Sequence, residues 1–207
     1  MDSIHRLEEI FAHFPGIGPR QAKRFVYYLL NKSPSSIKEF TDLIGEVKKS
    51  TSECDLCHRI FTHSKSAGKL CSICIDKNRD HTTLMIVARD SDFESIERSG
   101  AYRGLYFILG GTVPILDKEP EKRVRLKLLL ERVSNATSPF KEVILSLNTT
   151  PDGEHTATII KDALHSLFKN SPLQLTIVTI LGRGLSTGAE LEYVDADTIK
   201  NALQNRH

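Results

Sequence analysis

Residues 54–74 read CDLCHRIFTHSKSAGKLCSIC, and they hold all four cysteines of the chain as two Cys-x2-Cys pairs, Cys54/Cys57 and Cys71/Cys74. A pair at this spacing lets two sulfurs of one tight turn reach the same ion, and two pairs supply the four thiolates of a tetrahedral zinc site. The 13 residues between Cys57 and Cys71 make a spacer slightly shorter than the usual range for this pattern, but of the same kind. His58 and His63 fall within it and offer substitute ligands, although four cysteines already complete the shell. A complete shell leaves no open position, so the expected Zn2+ is structural rather than catalytic. The competing readings are two disulfides, four unrelated buried cysteines, or redox use of the pairs. Disulfides belong to exported chains, and Met1-Asp2-Ser3-Ile4 opens an amphipathic stretch rather than a charged segment followed by an apolar run. Working outward, short helices lie upstream of the cysteines, and strands alternating with helices lie downstream.

The composition bounds what these parts can be. With 207 residues, 40% hydrophobic and 26% charged, the chain can bury one sizeable core plus a smaller module. No segment approaches the ~18 consecutive apolar residues of a membrane span. A soluble, cytoplasmic protein with no membrane partner is expected. The net charge of +2, from 28 basic against 26 acidic residues, does not point to nucleic acid by itself, so the distribution of charge has to carry that argument.

Upstream, Ile4, Leu7, Ile10, Phe11 and Phe14 recur at helical spacing and predict a first amphipathic helix ending at Pro15. Gly16-Ile17-Gly18-Pro19-Arg20 follows, and then Ala22, Phe25, Val26, Leu29 and Leu30 mark the apolar stripe of a second helix. Two glycines around one apolar residue between helices form a helix-hairpin-helix signal. Gly16 and Gly18 can take backbone angles closed to other residues, which leaves bare amides at the positive end of the second helix, where a phosphate is favoured. From Ile10 to Lys38 there is no acidic residue, whereas Arg20, Lys23, Arg24, Lys32 and Lys38 are basic. Gly16, Gly18, Arg20, Lys23 and Arg24 are therefore the expected DNA contacts, made to phosphates rather than to bases. The plain alternative is a glycine corner with a solvated basic face. Ser33-Pro34 opens a third helix reaching about Lys49, with Ile37, Phe40, Ile44 and Val47 on its expected buried face.

Downstream, Leu84–Ala88 is a short apolar run that reads as a buried strand. A helix ending near Gly100, a strand from Gly104 to Leu109 and the turn Gly110-Gly111 come next. Then follow a helix with Leu126, Leu129, Leu130 and Val133 on one face and a strand from Val143 to Leu147. Pro151 opens a helix burying Ile160, Ala163, Leu164 and Leu167, and a last strand runs from Leu173 to about Leu181. Such alternation predicts an α/β domain with a mostly parallel sheet covered on both faces, its ligands beyond the strand ends. Arg183 to Tyr193 is a polar loop that suits a contact with another subunit or domain. Asp195 caps the final helix, which Ile199, Ala202 and Leu203 anchor. Tyr102, Tyr106 and Tyr193 offer stacking surfaces, with buried strand tyrosines the commoner outcome for the first two.

The order of these pieces resembles the bacterial RecR recombination-mediator family, whose α/β part is a Toprim domain. The resemblance rests on Cys71-Ser72-Ile73-Cys74 with Arg79-Asp80, on Ala101-Tyr102-Arg103-Gly104-Leu105-Tyr106 with Leu109-Gly110-Gly111, on Gly153-Glu154, and on Arg183-Gly184-Leu185 with Gly188 and Glu190-Leu191-Glu192-Tyr193. It implies a multi-domain α+β and α/β chain: a helix-hairpin-helix domain at 1–53, a zinc module at 54–80, a Toprim domain at 81–180 and a C-terminal loop and helix at 181–207. It further implies a DNA-binding protein that is not an enzyme and that assembles as a homo-oligomer, such as a tetrameric ring. That protein works with RecO-like and RecF-like partners on single-stranded, gapped or duplex DNA to help load recombinase.

Toprim enzymes hold magnesium on a glutamate after the first strand and an Asp-x-Asp after a later one, because converging carboxylates are what the ion needs. This chain has Ala88 at the first place and Asn148-Thr149-Thr150 at the second. Asp90, Asp92 and Glu154 remain as weak magnesium or partner-binding candidates. All three also suit the starts of the helices that follow. The alternative function, a magnesium-dependent Toprim nuclease or nucleotidyl transferase, rests on them.

Overall fold

The structure is a computed structural model and describes residues 2–62, 68–117, 119–136, 138–169, 176–182, 184, 185, 188 and 190–204. His63, the expected strand residues 173–175 and Arg183 lie outside the described residues. The chain divides into two units, Met1–Thr51 and Ser52–His207.

In the first unit, α1 (Ser3–Ala12) starts where the Asp2 side chain accepts from the Ile4 amide, and α2 (Pro19–Leu30) follows the glycine turn. The two helices pack on each other through the Phe11 ring, 5.4 Å from Phe14 and 5.9 Å from Phe25, and through fully buried Ala22 and Val26. The third helix, α3 (Pro34–Ser50), begins at Ser33, whose hydroxyl accepts from the Ser36 amide. Its expected buried face is a correction. Ile37 is only half-buried, and Phe40, Ile44 and Val47 are about half exposed. Helical spacing fixes which side chains share a face, but not whether anything covers that face, and no residue of α3 is buried. Phe25 and Leu30 of the α2 stripe are exposed for the same reason.

The second unit opens with a two-stranded ribbon, β1 (Thr51–Glu53) and β2 (Ile60–Thr62), and the short helix α4 (Ser72–Ile75), which together carry the cysteines. The main sheet has β3 (Asp80–Val87), β4 (Gly104–Ile108), β5 (Glu142–Ser146) and β6 (Ile177–Ile180), all parallel, in the order β4-β3-β5-β6. Between the strands run α5 (Asp90–Ser99), the short α6 (Pro120–Arg123), α7 (Leu126–Ser134) and α8 (Pro151–Phe168). A 3-10 turn at Leu191–Tyr193 leads to α9 (Ala196–Gln204), where Asp195 accepts from the Thr198 amide as expected of a cap.

Side chains alternate across the central strands, so each strand feeds two cores. On one face Leu84, Ile86, Leu105, Phe107, Val143 and Leu145 pack with Leu129, Val133, Ile160 and Leu164 of α7 and α8. On the other, Met85, Val87, Tyr106 and Ile108 pack with Phe93 of α5 and with the cysteine module. Both faces are covered, as the alternating pattern predicts, but part of the second cover is the cysteine module and not a crossover helix. Two pieces of the chain hold this arrangement tightly. Arg79, nearly buried, pairs with Glu97 of α5 and donates to the Gly104 carbonyl at 3.0 Å. Gly153, in the first turn of α8, lies against the Asn148 carbonyl so closely that a Cβ there would fall 2.0 Å from that oxygen.

Candidate metal centre and nucleic-acid interface

The metal centre is built by local backbone turns. The Cys54 amide donates to the Arg59 carbonyl and the His58 amide to the Cys54 carbonyl, both at 2.9 Å, which curls the first pair into a knuckle with His58 at a left-handed φ of 59°. The second pair spans the start of α4, with Cys71 at its N-cap. The four sulfurs lie within 4.8 Å of one another, and all four residues are buried. Sulfurs bound ~2.3 Å from one tetrahedral ion sit about 3.8 Å apart, and the Cys57 and Cys71 sulfurs are separated by 3.6 Å. A disulfide requires a bond of ~2.05 Å, so this spacing fits shared coordination and not a bridge. The thiols act on one another: hydrogen bonds from Cys57, Cys71 and Cys74 pull the Cys54 thiol far below its ordinary range, while the bond to Cys54, aided by burial, pushes Cys74 up. Metal binding needs deprotonated sulfur, so an ion at the centre of the quartet would take the place of these thiol–thiol contacts. The quartet can hold a metal ion. His58 is not among the converging ligands; its Nδ1 lies 2.7 Å from Glu53, and its ring packs on Phe107.

Two contacts anchor this module to the sheet. The Ile108 amide donates to the Cys57 carbonyl at 2.8 Å, and the Ile60 amide donates to the Asp90 carboxylate at 2.9 Å. Asp90 is thus engaged with the ribbon, and Asp92 accepts from the Arg89 amide at 3.0 Å at the start of α5. Glu154 stands elsewhere, in the first turn of α8, beside a groove of about 430 Å³ lined also by Leu147, Asn148, Lys161 and Asp162. Among the described residues, the cysteines are the only group of three or more such ligands that converges, so the structure does not bring Asp90, Asp92 and Glu154 together. Ala88, buried at the end of β3, accepts from the Gly110 amide at 2.9 Å, and Gly110-Gly111 makes the expected turn after β4. Tyr106 is buried and Tyr102 half-buried, its hydroxyl donating to the Leu105 carbonyl at 3.0 Å, whereas Tyr193 is exposed.

The second candidate surface lies in the first unit. Gly16 takes φ +75°, the left-handed region that favours glycine. Gly18 does not: at φ −85° and ψ 169° it occupies extended backbone open to any residue, which corrects half of the glycine argument. Its role is the N-cap of α2, where no side chain caps the helix and Pro19 has no amide to satisfy. Arg20, Lys23 and Arg24 are all exposed on α2, and none has an acidic partner among the described contacts; Arg24 donates to Gln21 at 3.2 Å. Tyr27, which the sequence reading passed over, stands among them at 49% exposure, the Lys23 ammonium 5.9 Å from its ring centre. Its place one turn beyond Lys23 was the available signal. No helix of the described residues is long and apolar enough to cross a membrane.

With both sites in place, comparison with known proteins adds the following. Residues 82–179 match the family model of the Toprim domain, and residues 184–207 match that of "RecR, C-terminal". A protein of Bifidobacterium adolescentis named Recombination protein RecR is 37% identical over 205 residues, covering 99% of this chain and 95% of that protein. Its namesake in Chloroflexus aurantiacus is 37% identical over 203 residues, covering 98% and 93%. The one in Lactobacillus acidophilus is 34% identical over 203 residues, covering 98% and 96%.

Proposed function

The chain belongs to the RecR family, and from that premise we propose that it is a DNA-binding mediator of recombinational repair, not an enzyme. In this reading α2 grips phosphates through Arg20, Lys23 and Arg24 beside the Gly16–Gly18 turn, and Cys54, Cys57, Cys71 and Cys74 hold a structural Zn2+. The observation that carries it is the uncompensated basic face of α2, drawn from a stretch, Ile10 to Lys38, without one acidic residue. A face of this kind neutralises phosphates and reads no sequence, which suits a protein that acts wherever a gap occurs. What stands at the strand ends supports a role other than catalysis. Ala88 and Asn148 occupy the places where Toprim enzymes carry carboxylates, and Asp90 is engaged with the ribbon. RecO-like and RecF-like proteins remain the proposed partners, a ring-like homo-oligomer the proposed assembly, and 1–53, 54–80, 81–180 and 181–207 the proposed functional divisions.

The test is binding to gapped and single-stranded DNA at two or more salt concentrations, comparing the chain with its Arg20→Glu/Lys23→Glu/Arg24→Glu variant. Each lost phosphate contact lowers the slope of log affinity against log salt by about 0.7–0.9, so the triple variant is expected to lose about two to three units of slope and most of its affinity. Unchanged affinity and slope would show that the grip lies elsewhere. Magnesium-dependent cleavage or joining of DNA by the purified protein would overturn the non-enzymatic reading.

A further inference from the structure

The basic face of α2 is built around an aromatic ring. At 3.6 residues per turn, Lys23, Tyr27, Arg20 and Arg24 fall within an arc of about 100°, with Tyr27 inside it, while Ala22 and Val26 turn the other way and are fully buried. Tyr27 therefore contributes little to the α1–α2 core and leaves nearly half its surface open. Nothing about phosphate binding requires that. A basic stripe for duplex backbone is served by lysine, arginine and polar residues, and an exposed ring in its middle gains nothing from a duplex, whose bases are stacked inside.

From this placement we infer that Tyr27 is a stacking platform for an unpaired nucleobase, with Arg20, Lys23 and Arg24 holding the phosphates on either side, so that this face distinguishes single-stranded from duplex DNA. The inference rests on the phosphate grip proposed above. Two physical features favour single strand as the occupant. Arg20, Lys23 and Arg24, without an acidic partner among the described contacts, are a charge complement to a phosphodiester chain and not to an apolar protein partner. The combination of a cationic groove with interleaved aromatics is also the arrangement that binds unpaired strands without sequence preference, since every base has a face to stack. The Lys23 ammonium, 5.9 Å from the ring centre, can stay over one face of the ring and reach an adjacent phosphate.

The experiment compares the full-length chain with Tyr27→Ala and Tyr27→Phe by fluorescence anisotropy on three probes: a mixed-sequence single-stranded oligonucleotide, its duplex, and a single strand of the same length made of abasic sites. Thermal melting of each variant is recorded alongside. Tyr27→Ala is expected to lose roughly 5- to 150-fold in single-strand affinity, the range for one base–aromatic stack, and to bind the duplex within about two-fold of wild type, since phosphate contacts are untouched. Tyr27→Phe retains wild-type behaviour, because the ring and not the hydroxyl stacks. Wild type on the abasic strand should match Tyr27→Ala on the ordinary one. Unchanged single-strand affinity in Tyr27→Ala, a loss shared equally by the duplex, or full affinity for the abasic strand overturns the stacking role while leaving the phosphate grip intact. Failure of the grip itself is read separately, from the triple charge reversal.

Discussion

Replacing Cys71 by serine is expected to loosen the whole second unit and not only the cysteine module. The module covers Met85, Val87, Tyr106 and Ile108, which are 4%, 0%, 1% and 1% exposed. Fully burying side chains of this size stabilises by about 1.5–3 kcal/mol each, so uncovering all four would cost about 6–12 kcal/mol. Phe93 of α5 shares the face, its ring 4.8 Å from that of Tyr106, and it would keep part of the surface dry. Halving the figure leaves about 3–6 kcal/mol, against a total of about 5–15 for a typical domain. At about 2–4 °C per kcal/mol for a unit of this size, the melting temperature should fall by at least about 6 °C. Circular dichroism melts of Cys71→Ser and wild type, each with and without a zinc chelator, measure this directly. Chelation should reproduce the loss in wild type and add little in the variant, because the site is already broken. Full thermal stability in Cys71→Ser, within about 2 °C, together with lost DNA binding, would refute the argument. It would make the module a DNA-reading finger instead of a cover for the sheet.

Two further outcomes follow from buried polar groups. Burial pushes the Tyr102 hydroxyl up to about 12, with its hydrogen bond to Thr83 acting in the opposite sense. Because the unfolded value is about 10, the protonated form is favoured by folding, so this stability is fully present below pH ~10 and is lost as pH rises toward 12. Melting temperature followed from pH 9 to 12 should fall less steeply in Tyr102→Phe than in wild type; parallel curves would remove Tyr102 as a cause. Glu97→Ala leaves the Arg79 guanidinium, 13% exposed, without its carboxylate. Removing one partner of a buried pair costs about 3–5 kcal/mol, and the partial exposure of Glu97 reduces this to about 2–4. Urea unfolding should show that loss with an unchanged slope, and a midpoint equal to wild type would mean the pair contributes nothing.

The strands and helices of the second unit were legible because their signals are local. Leu84–Ala88 is a continuous apolar run, Leu126, Leu129 and Val133 repeat at helical spacing, and Pro151 sits where a helix begins. The four cysteines were legible because ligand spacing is a covalent constraint, and they do converge. Properties that depend on what comes to lie opposite were harder to see. Ile37, Phe40, Ile44 and Val47 share a face as expected, yet burial needs a covering surface that periodicity does not encode. Asp90 reads from the sequence as a weak magnesium candidate or a helix-start residue, but its carboxylate meets the Ile60 amide 30 residues away in sequence. The β1–β2 ribbon is three residues a side, too short for alternation to register. Tyr27 was hidden by its sequence neighbours: Phe25, Val26, Leu29 and Leu30 make it read as one more apolar position until the helix is wound and its side is seen to be the basic one.

The cover over Met85, Val87, Tyr106 and Ile108 also orders events in time. Cys54 and Cys74 are only 20 positions apart, so their loop closes quickly and cheaply. Pairing β3 with β5 must instead bring Leu84 beside Val143, across a long intervening stretch, and such distant parallel pairings are slow. With the proposed Zn2+ bound, the knuckle would therefore be available before the sheet it sits on, and it would present an apolar surface on which β3 could settle first. Without the ion, the same strand would wait exposed, open to pairing with other chains. On the proposed Zn2+ site, metal supply during synthesis would thus bear on how much of the chain reaches its native state at all, apart from how stable that state is once formed.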